Sequence, residues 1–400
     1  MRLSIQLGLD TMSGSQLLRP SNPTLRLHSK MAPKRNITMT TIGGAFSTGK
    51  NNFDLIRLLA ALLVLFSHSF PLTNSIEPIG YYLGGYGDGG SLAVSVFFVI
   101  SGFLVTKSVL ERDTGIFLIS RILRIIPALL AVVLLQTFII GPAFTTLPLA
   151  QYFLSPVTWG HLRNILVFDI RFILPGVFEM LPNHGINGSL WTLPLEATCY
   201  LMLPFVALAG LLQPRFIPLL LVAAAVMLFV GVQFWGLSWS NPGLAILSSV
   251  SAYPFLQFAL FFVIGSALWV HRSTIPINGG FALCCLVLLF AGSWSYFSGP
   301  ILYLTLPYLV IYAAFSRAIV ADSMKQMGDI SYGTYLYAFP IQQSIIQVAG
   351  GSIGPIALTV AALPLVLLMG KLSSILIEKP ALGFRRRRVS EVVPRNWTGL

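Results

Sequence analysis

The stretch Asn52-Phe53-Asp54-Leu55-Ile56-Arg57-Leu58-Leu59-Ala60-Ala61-Leu62-Leu63-Val64-Leu65-Phe66-Ser67-His68-Ser69-Phe70-Pro71-Leu72 decides the fold. It is an apolar run of about twenty residues, the length that crosses the hydrocarbon of a bilayer as a helix, yet it carries Asp54, Arg57 and His68. At about 100° per residue, the eleven positions from Arg57 to His68 return to within about 20° of one face, and Asp54 sits one turn before Arg57. The three therefore share a stripe, and at about 1.5 Å per residue it rises roughly 16 Å from Arg57 to His68. An Arg or Asp inside a bilayer costs roughly 2.5 to 3.5 kcal/mol on insertion scales, so such a stripe faces a bundle interior or a wet cavity rather than lipid. The structural alternatives are an Arg57 that snorkels to the headgroups and a His68 that merely bonds a neighbouring helix.

The rest of the chain repeats the pattern. Of 400 residues, 55% are hydrophobic and only 10% charged, with mean hydropathy +0.80, against about 25% charged in soluble domains. Apolar runs follow near 90–107, 120–141, 191–211, 216–234, 244–270, 279–296, 300–316, 328–347 and 353–377. The expected fold class is all-α, a polytopic membrane protein of about ten transmembrane helices. The weakest boundary is Gly299-Pro300, where the seventh and eighth runs would merge if the break were only a kink.

The net charge of +12 does not imply nucleic acid, because the basic residues flank apolar runs instead of gathering on one face. Lys107, Arg112, Arg121 and Arg124 surround the second link, Arg215 lies in the fourth, Arg272 in the sixth, and Arg317 and Lys325 in the eighth. Lys371, Arg385 to Arg388 and Arg395 follow at the end, while the first, fifth, seventh and ninth links contain neither Lys nor Arg. Basic residues mark cytoplasmic links, which places both termini in the cytoplasm. Arg163 and Arg171, in the long link at about 142–190, fall on the opposite side.

Residues 1–50 form a basic extension rich in Ser, Thr, Pro and Gly, expected to be disordered. It resembles a transit peptide in composition, or else reflects a mis-assigned start with Met31 or Met39 as the true one. A membrane domain is expected over 51–380 and a basic cytoplasmic tail over 381–400. Cys199, Cys284 and Cys285 all lie in apolar runs, which suggests neither a disulfide framework nor a metal site. The long link holds His161, Arg163, Asp169, Arg171, Glu179 and His184; long links are often functional, although a solvated charged loop accounts for each residue singly. Asn187-Gly188-Ser189 fits a glycosylation triplet, a pattern common by chance.

With the N-terminus inside, Arg57 lies near the cytoplasmic face and His68 in the outer half of the membrane. The fourth run enters from outside as Leu190-Trp191-Thr192-Leu193-Pro194-Leu195-Glu196, which sets Glu196 about two turns in, at the depth of His68. A carboxylate and an imidazole at one level are natural partners; a structural ion pair or a transporter proton relay would account for Glu196 as well. Arg121 and Arg124, three apart on one face and followed by Pro127, could hold phosphates, with ordinary topology as the alternative. This layout suits a phosphorylated cofactor entering from the cytoplasm and a hydroxylated acceptor arriving from outside.

Six short stretches appear in order: Arg57-x10-His68; Val96-Phe97-Phe98-Val99-Ile100-Ser101-Gly102-Phe103-Leu104; Arg121-x-x-Arg124-Ile125-x-Pro127; Leu190-Trp191-Thr192-Leu193-x-x-Glu196-x-x-Cys199-Tyr200; Ser331-Tyr332-Gly333-x-Tyr335-Leu336; and Glu378-Lys379-Pro380. In these the chain resembles the acyltransferase 3 family of integral membrane O-acyltransferases. The resemblance implies transfer of an acyl group, acetyl in many members, from acetyl-CoA or another acyl-CoA to a hydroxyl of an envelope or exported carbohydrate. The acceptor would be a polysaccharide, lipopolysaccharide or glycolipid and the setting the inner (cytoplasmic) membrane, with the lipid bilayer as the other partner and neither metal nor nucleic acid involved. It differs from many members in having Tyr337-Ala338-Phe339-Pro340 where they read Trp-His-Phe-Pro, so no role passes to a histidine there. A fused esterase-like domain is not expected, and a separate partner would supply any such step. The implied mechanism has His68 deprotonate the acceptor hydroxyl, or carry the acyl group covalently. Glu196 would orient His68, Arg57, Arg121 and Arg124 would hold cofactor phosphates, and Asp54 would orient Arg57. The competing classes are a transporter or flippase of a glycan or lipid-linked sugar, for which intramembrane charges are equally ordinary, and a noncatalytic subunit binding acyl-CoA or a glycan enzyme.

Overall fold

The computed structural model describes residues 40–247, 249–316 and 329–383. Arg317, Lys325, the Arg385 to Arg388 run and residues 1–39 lie outside the described residues. Ten helices match the ten apolar runs in order: α1 Phe53–Leu72, α2 Gly89–Glu111, α3 Thr114–Phe144, α4 Thr192–Leu208, α5 Ile217–Trp235, α6 Ala252–Val270, α7 Gly279–Ala291, α8 Ser298–Phe315, α9 Ser331–Val348 and α10 Pro355–Ser373. Among the described residues, 8 helices are long and apolar enough to cross a membrane. The two that fall short do so for different reasons. α7 has 13 residues, about 20 Å of rise against roughly 30 Å of hydrocarbon. α9 carries Ser331, Thr334, Gln342 and Gln343, all buried against other helices, so it is an interior helix whose polar side chains face protein rather than lipid.

α7 and α8 are separate, but the break falls at 292–297 and not at Gly299-Pro300, which already lie in the first turn of α8, where a proline is tolerated. The run at 244–270 is only partly helical: Ala245–Leu247 and Val250–Ser251 form a small antiparallel pair before α6 begins. Part of the basic extension is ordered as well. Ile42–Ser47 is a helix whose Ile42 is fully buried and whose Phe46 ring meets Phe103, Trp269 and Phe315.

Small residues set the closest helix crossings. A Cβ on Gly102 of α2 would strike the Phe262 carbonyl of α6, and one on Gly265 would strike the Val99 carbonyl. The two backbones therefore touch, and Thr106 and Ser266 share a hydrogen bond of 2.8 Å across them. This is how small residues let membrane helices associate without a hydrophobic driving force. Gly333 and Gly370 do the same between α9 and α10. α1 lies in the middle, against α2, α9 and α10. Buried Gln342 of α9 donates to the Leu65 carbonyl at 2.8 Å and to Ser69 Oγ at 2.7 Å, which holds the second half of α1 against α9.

The long link forms a folded cover rather than a solvated loop. His161, fully buried, pairs through Nε2 with Gln136 at 3.0 Å, and Asn164 fastens the backbone of Arg171 in both directions. Burial lowers the His161 pKa to about 4, against a backbone bond from Arg171 that raises it. Gln136 opens a π-helical segment, Gln136–Ile140, near the end of α3. Arg163 and Arg171, the two exceptions to the charge alternation, both pair with Asp169, at 2.6 and 2.8 Å. Asn187 of the glycosylation triplet is fully buried. Its amide donates to the Leu336 carbonyl at 3.0 Å, the acceptor that Pro340 leaves free four residues on, because proline has no N–H.

Candidate active site

Arg57, Arg121 and Arg124 converge with Ser101, Glu196, Tyr200, Thr192 and Tyr335 on a cavity of about 80 Å³, room for several water molecules. The sequence assigns these three arginines to cofactor phosphates, and the structure pairs two of them with carboxylates. Arg124 meets Asp329 through Nη2 and Glu378 through Nη1, the latter at 3.2 Å, and Arg57 lies 3.6 Å from the same Asp329 oxygen. Asp329 uses its other oxygen on the start of α9, accepting from Ser331 N at 3.0 Å and Ser331 Oγ at 2.5 Å. A carboxylate is favoured there by the N-terminal end of the helix dipole. Burial alone would raise its pKa, but Arg124 and Arg57 outweigh that and hold it well below the ordinary carboxylate range. Glu378 comes from a π-helical segment, Ser374–Glu378, that continues α10, and its second oxygen accepts from Ser373 Oγ at 3.1 Å.

Asp329 thus stands 3.6 Å from Arg57, in the orienting position expected for Asp54, which lies in the first turn of α1. Asp329 and Glu378 are far from Arg57 and Arg124 in sequence, and neither was singled out for a role. A carboxylate just before a span reads as ordinary flanking charge, and only the Ser331 motif beside it hinted otherwise.

Arg121 is placed differently. Its guanidinium lies 5.5 Å from the Tyr200 ring and 6.0 Å from the Phe117 ring, and its Nε is buried without a hydrogen-bond partner. Glu196 faces this arginine and not His68: its carboxylate accepts from Tyr200 OH and, at 3.1 Å, from Ser101 Oγ. The expected His68–Glu196 pair is therefore replaced by a Glu196–Tyr200–Ser101 cluster. Helical phase explains this. Tyr200 follows Glu196 by one turn and shares its face, which is turned towards α2 and α3.

His68 lies outside the cavity lining. Its ring packs edge-on to Phe339 at 5.4 Å, its Nδ1 is buried without a partner, and the carboxylate whose field reaches it is that of Asp88, the N-cap of α2. Between the cavity and His68 runs a clasp. Tyr335 OH donates to the Ser189 carbonyl at 2.7 Å and shares a 2.7 Å hydrogen bond with Thr192 Oγ1.

The profile described as an acyltransferase domain, acyltransferase 3, matches residues 50–377. The chain belongs to the acyltransferase 3 family. It is accordingly an acyltransferase and a multi-pass membrane protein, as the six stretches imply. It is 34% identical over 333 residues to the O-acetyl transferase of Shigella phage Sf6, covering 82% of this chain and 95% of that one. It is 28% identical over 361 residues to nodulation protein 10 of Rhizobium leguminosarum bv. viciae, covering 85% and 95%. It is 24% identical over 350 residues to the peptidoglycan O-acetyltransferase OatA of Listeria monocytogenes, covering 76% of this chain and 53% of that protein. No solved structure matches the chain. The geometry adds why the family stretches, scattered over the sequence, belong together. All six contribute a residue to the cavity or to a side chain that lines it, and His68 stands apart from the cavity on the same helix as Arg57.

Proposed function

We propose that the protein transfers an acyl group, acetyl in the first instance, from acyl-CoA bound at the Arg57 end of the bundle to a carbohydrate hydroxyl presented at the His68 end. The cytoplasmic side is the Arg57 side on the charge alternation, in the inner membrane, and the acceptor is an envelope or exported polysaccharide, lipopolysaccharide or glycolipid. The observation that carries this reading is Arg121, a guanidinium with a buried, unpartnered Nε on a cavity shared with two further arginines. Such a group suits a phosphate, which a guanidinium binds through paired hydrogen bonds. Arg57 and Arg124, held by Asp329 and Glu378, fix the shape of the phosphate site and add to its field.

The imidazole of His68 takes the proton of the acceptor hydroxyl as its oxygen attacks the thioester carbonyl. The new C–O ester bond forms, the C–S bond breaks, and the thiolate leaves and receives the proton from His68. Atoms and charge balance with no metal or redox partner. Glu196, tied to Tyr200 and Ser101, orders the Arg121 side of the donor site instead of orienting His68. Asp54 stays assigned to the Arg57 end of the same stripe.

The test is transfer by the full chain reconstituted in lipid vesicles, with labelled acetyl-CoA and a panel of envelope glycans, comparing wild type with His68→Ala. Label on a glycan, lost in the variant while acetyl-CoA binding persists, is the expected result. A wild-type protein that binds no acetyl-CoA and instead carries glycan across the vesicle would overturn the reading.

A further inference from the structure

Two aromatic side chains of α9 separate the cavity from His68. Tyr335 lines the cavity and is clasped to Ser189 and Thr192. Phe339 follows four residues later, on the same face one turn on, and is 4% exposed. Its ring lies edge-on to His68 with centroids 5.4 Å apart, and an added Cβ on Gly188 would come within 2.6 Å of its Cε2. Position 188 thus has no room for a side chain while the ring stays in place. The turn is rigidly set, since Asn187 holds the Leu336 carbonyl through its amide at 3.0 Å and the Ser189 N–H through its oxygen at 3.2 Å.

Two polar atoms here have no partner: Nδ1 of His68, and Oγ of Ser189, which is fully buried next to Gly188. Buried polar groups in proteins are nearly always bonded, so the orphaned nitrogen of His68 beside this ring, with a second orphan on the residue after Gly188, marks a place for a polar group of a ligand. A thioester carbonyl is of that kind. Resting on the transferase reading above, we propose that Phe339, packed against both His68 and Gly188, limits the length of the acyl group, admitting acetyl and excluding longer chains. With the carbonyl set between the two orphaned atoms, the carbon chain beyond it has to occupy the volume the ring now fills. Acetyl is the shortest such chain, and each further methylene meets the ring.

The probes are acetyl-, propionyl- and butyryl-CoA, offered to the full chain in lipid vesicles. The readouts are affinity for each thioester and thiol release in the presence of the glycan panel. One methylene in a shaped apolar site is worth roughly 10- to 200-fold in discrimination. Phe339→Leu and Phe339→Ala are therefore expected to raise the butyryl-to-acetyl ratio by about tenfold or more, and Gly188→Ala, which presses the ring towards His68, to lower it. The leucine variant carries the test if the alanine variant does not fold. Unchanged ratios in a protein that binds acetyl-CoA overturn this inference and leave the transferase reading standing. A wild-type protein with no affinity for any of the three thioesters overturns both.

Discussion

The Arg57 end and the His68 end of one helix, eleven residues apart, solve the same problem in opposite ways. At the Arg57 end, charges are buried in quantity and nearly all are answered: Arg124 has two carboxylates, Asp329 serves two arginines and a helix start, and Glu196 takes two hydroxyls. At the His68 end a single imidazole sits against a phenyl ring with one nitrogen unanswered. A second buried histidine, in the long link, is treated conventionally, since His161 is bonded by both Gln136 and Asn164. The contrast teaches that, of the charged or titratable groups at the two ends, His68 and Arg121 keep a buried nitrogen free for substrates, while the ion-paired ones hold the scaffold in which these two stand.

Four measurements would break or sharpen that contrast, the first with the largest effect. His68→Asn is expected to lower acyl transfer by about 10²- to 10⁴-fold, the range for loss of a positioned acid–base group, with acetyl-CoA affinity unchanged. Transfer that survives this substitution would remove the distinction between the two ends. Arg124→Ala leaves Glu378 buried without its cation and Asp329 with Arg57 alone, so thermal unfolding in detergent should show a loss of about 3 kcal/mol, whereas a paired scaffold group of no consequence would show none.

The third measurement uses His161. Its ordinary pKa of 6.5 is lowered to about 4 by burial, so between those values the unfolded chain takes up a proton that the folded protein refuses. Stability should therefore fall as pH drops through that window, by up to about 1.4 kcal/mol per pH unit, and level off below it. His161→Gln should flatten the profile, and an unaltered slope would show that the outer cover is not fastened through this ring. Smallest is Arg121→Lys, which keeps the charge but removes the planar fork. KM for acetyl-CoA should rise about tenfold with kcat nearly unchanged; a fall in kcat alone would move Arg121 from binding to chemistry.

Periodicity and residue type alone carried much of the architecture. The apolar runs located α1 to α10 among the described residues, and the separation of α7 from α8 was visible, although the chain breaks at Gly292 and reaches Gly299-Pro300 already helical. The misjudged lengths have local causes. α7 ends early at Gly292, and the start of the 244–270 run is drawn into a strand pair, where Ser249 accepts the Ile170 N–H at 2.9 Å. The shared stripe of Arg57 and His68, and the common face of Arg121 and Arg124, follow from 3.6 residues per turn and needed no coordinates.

Which partner each charge takes was not legible. Depth along a helix set Glu196 level with His68, but depth says nothing about the direction in which a side chain points around the axis relative to a neighbouring helix. That direction depends on how closely the helices approach, and here glycines such as Gly102 and Gly265 set the approach of α2 to α6, with Ser101 delivered to Glu196 from the same turn. The sequence by itself determined a helical membrane acyltransferase with a polar stripe in its first helix. Only the tertiary structure decided that Asp329 and Glu378 complete the arginine cluster, that Glu196 belongs to Tyr200, and that Phe339 stands beside His68. Such pairings join residues as much as 254 positions apart, and helix packing, not local periodicity, brings them into contact.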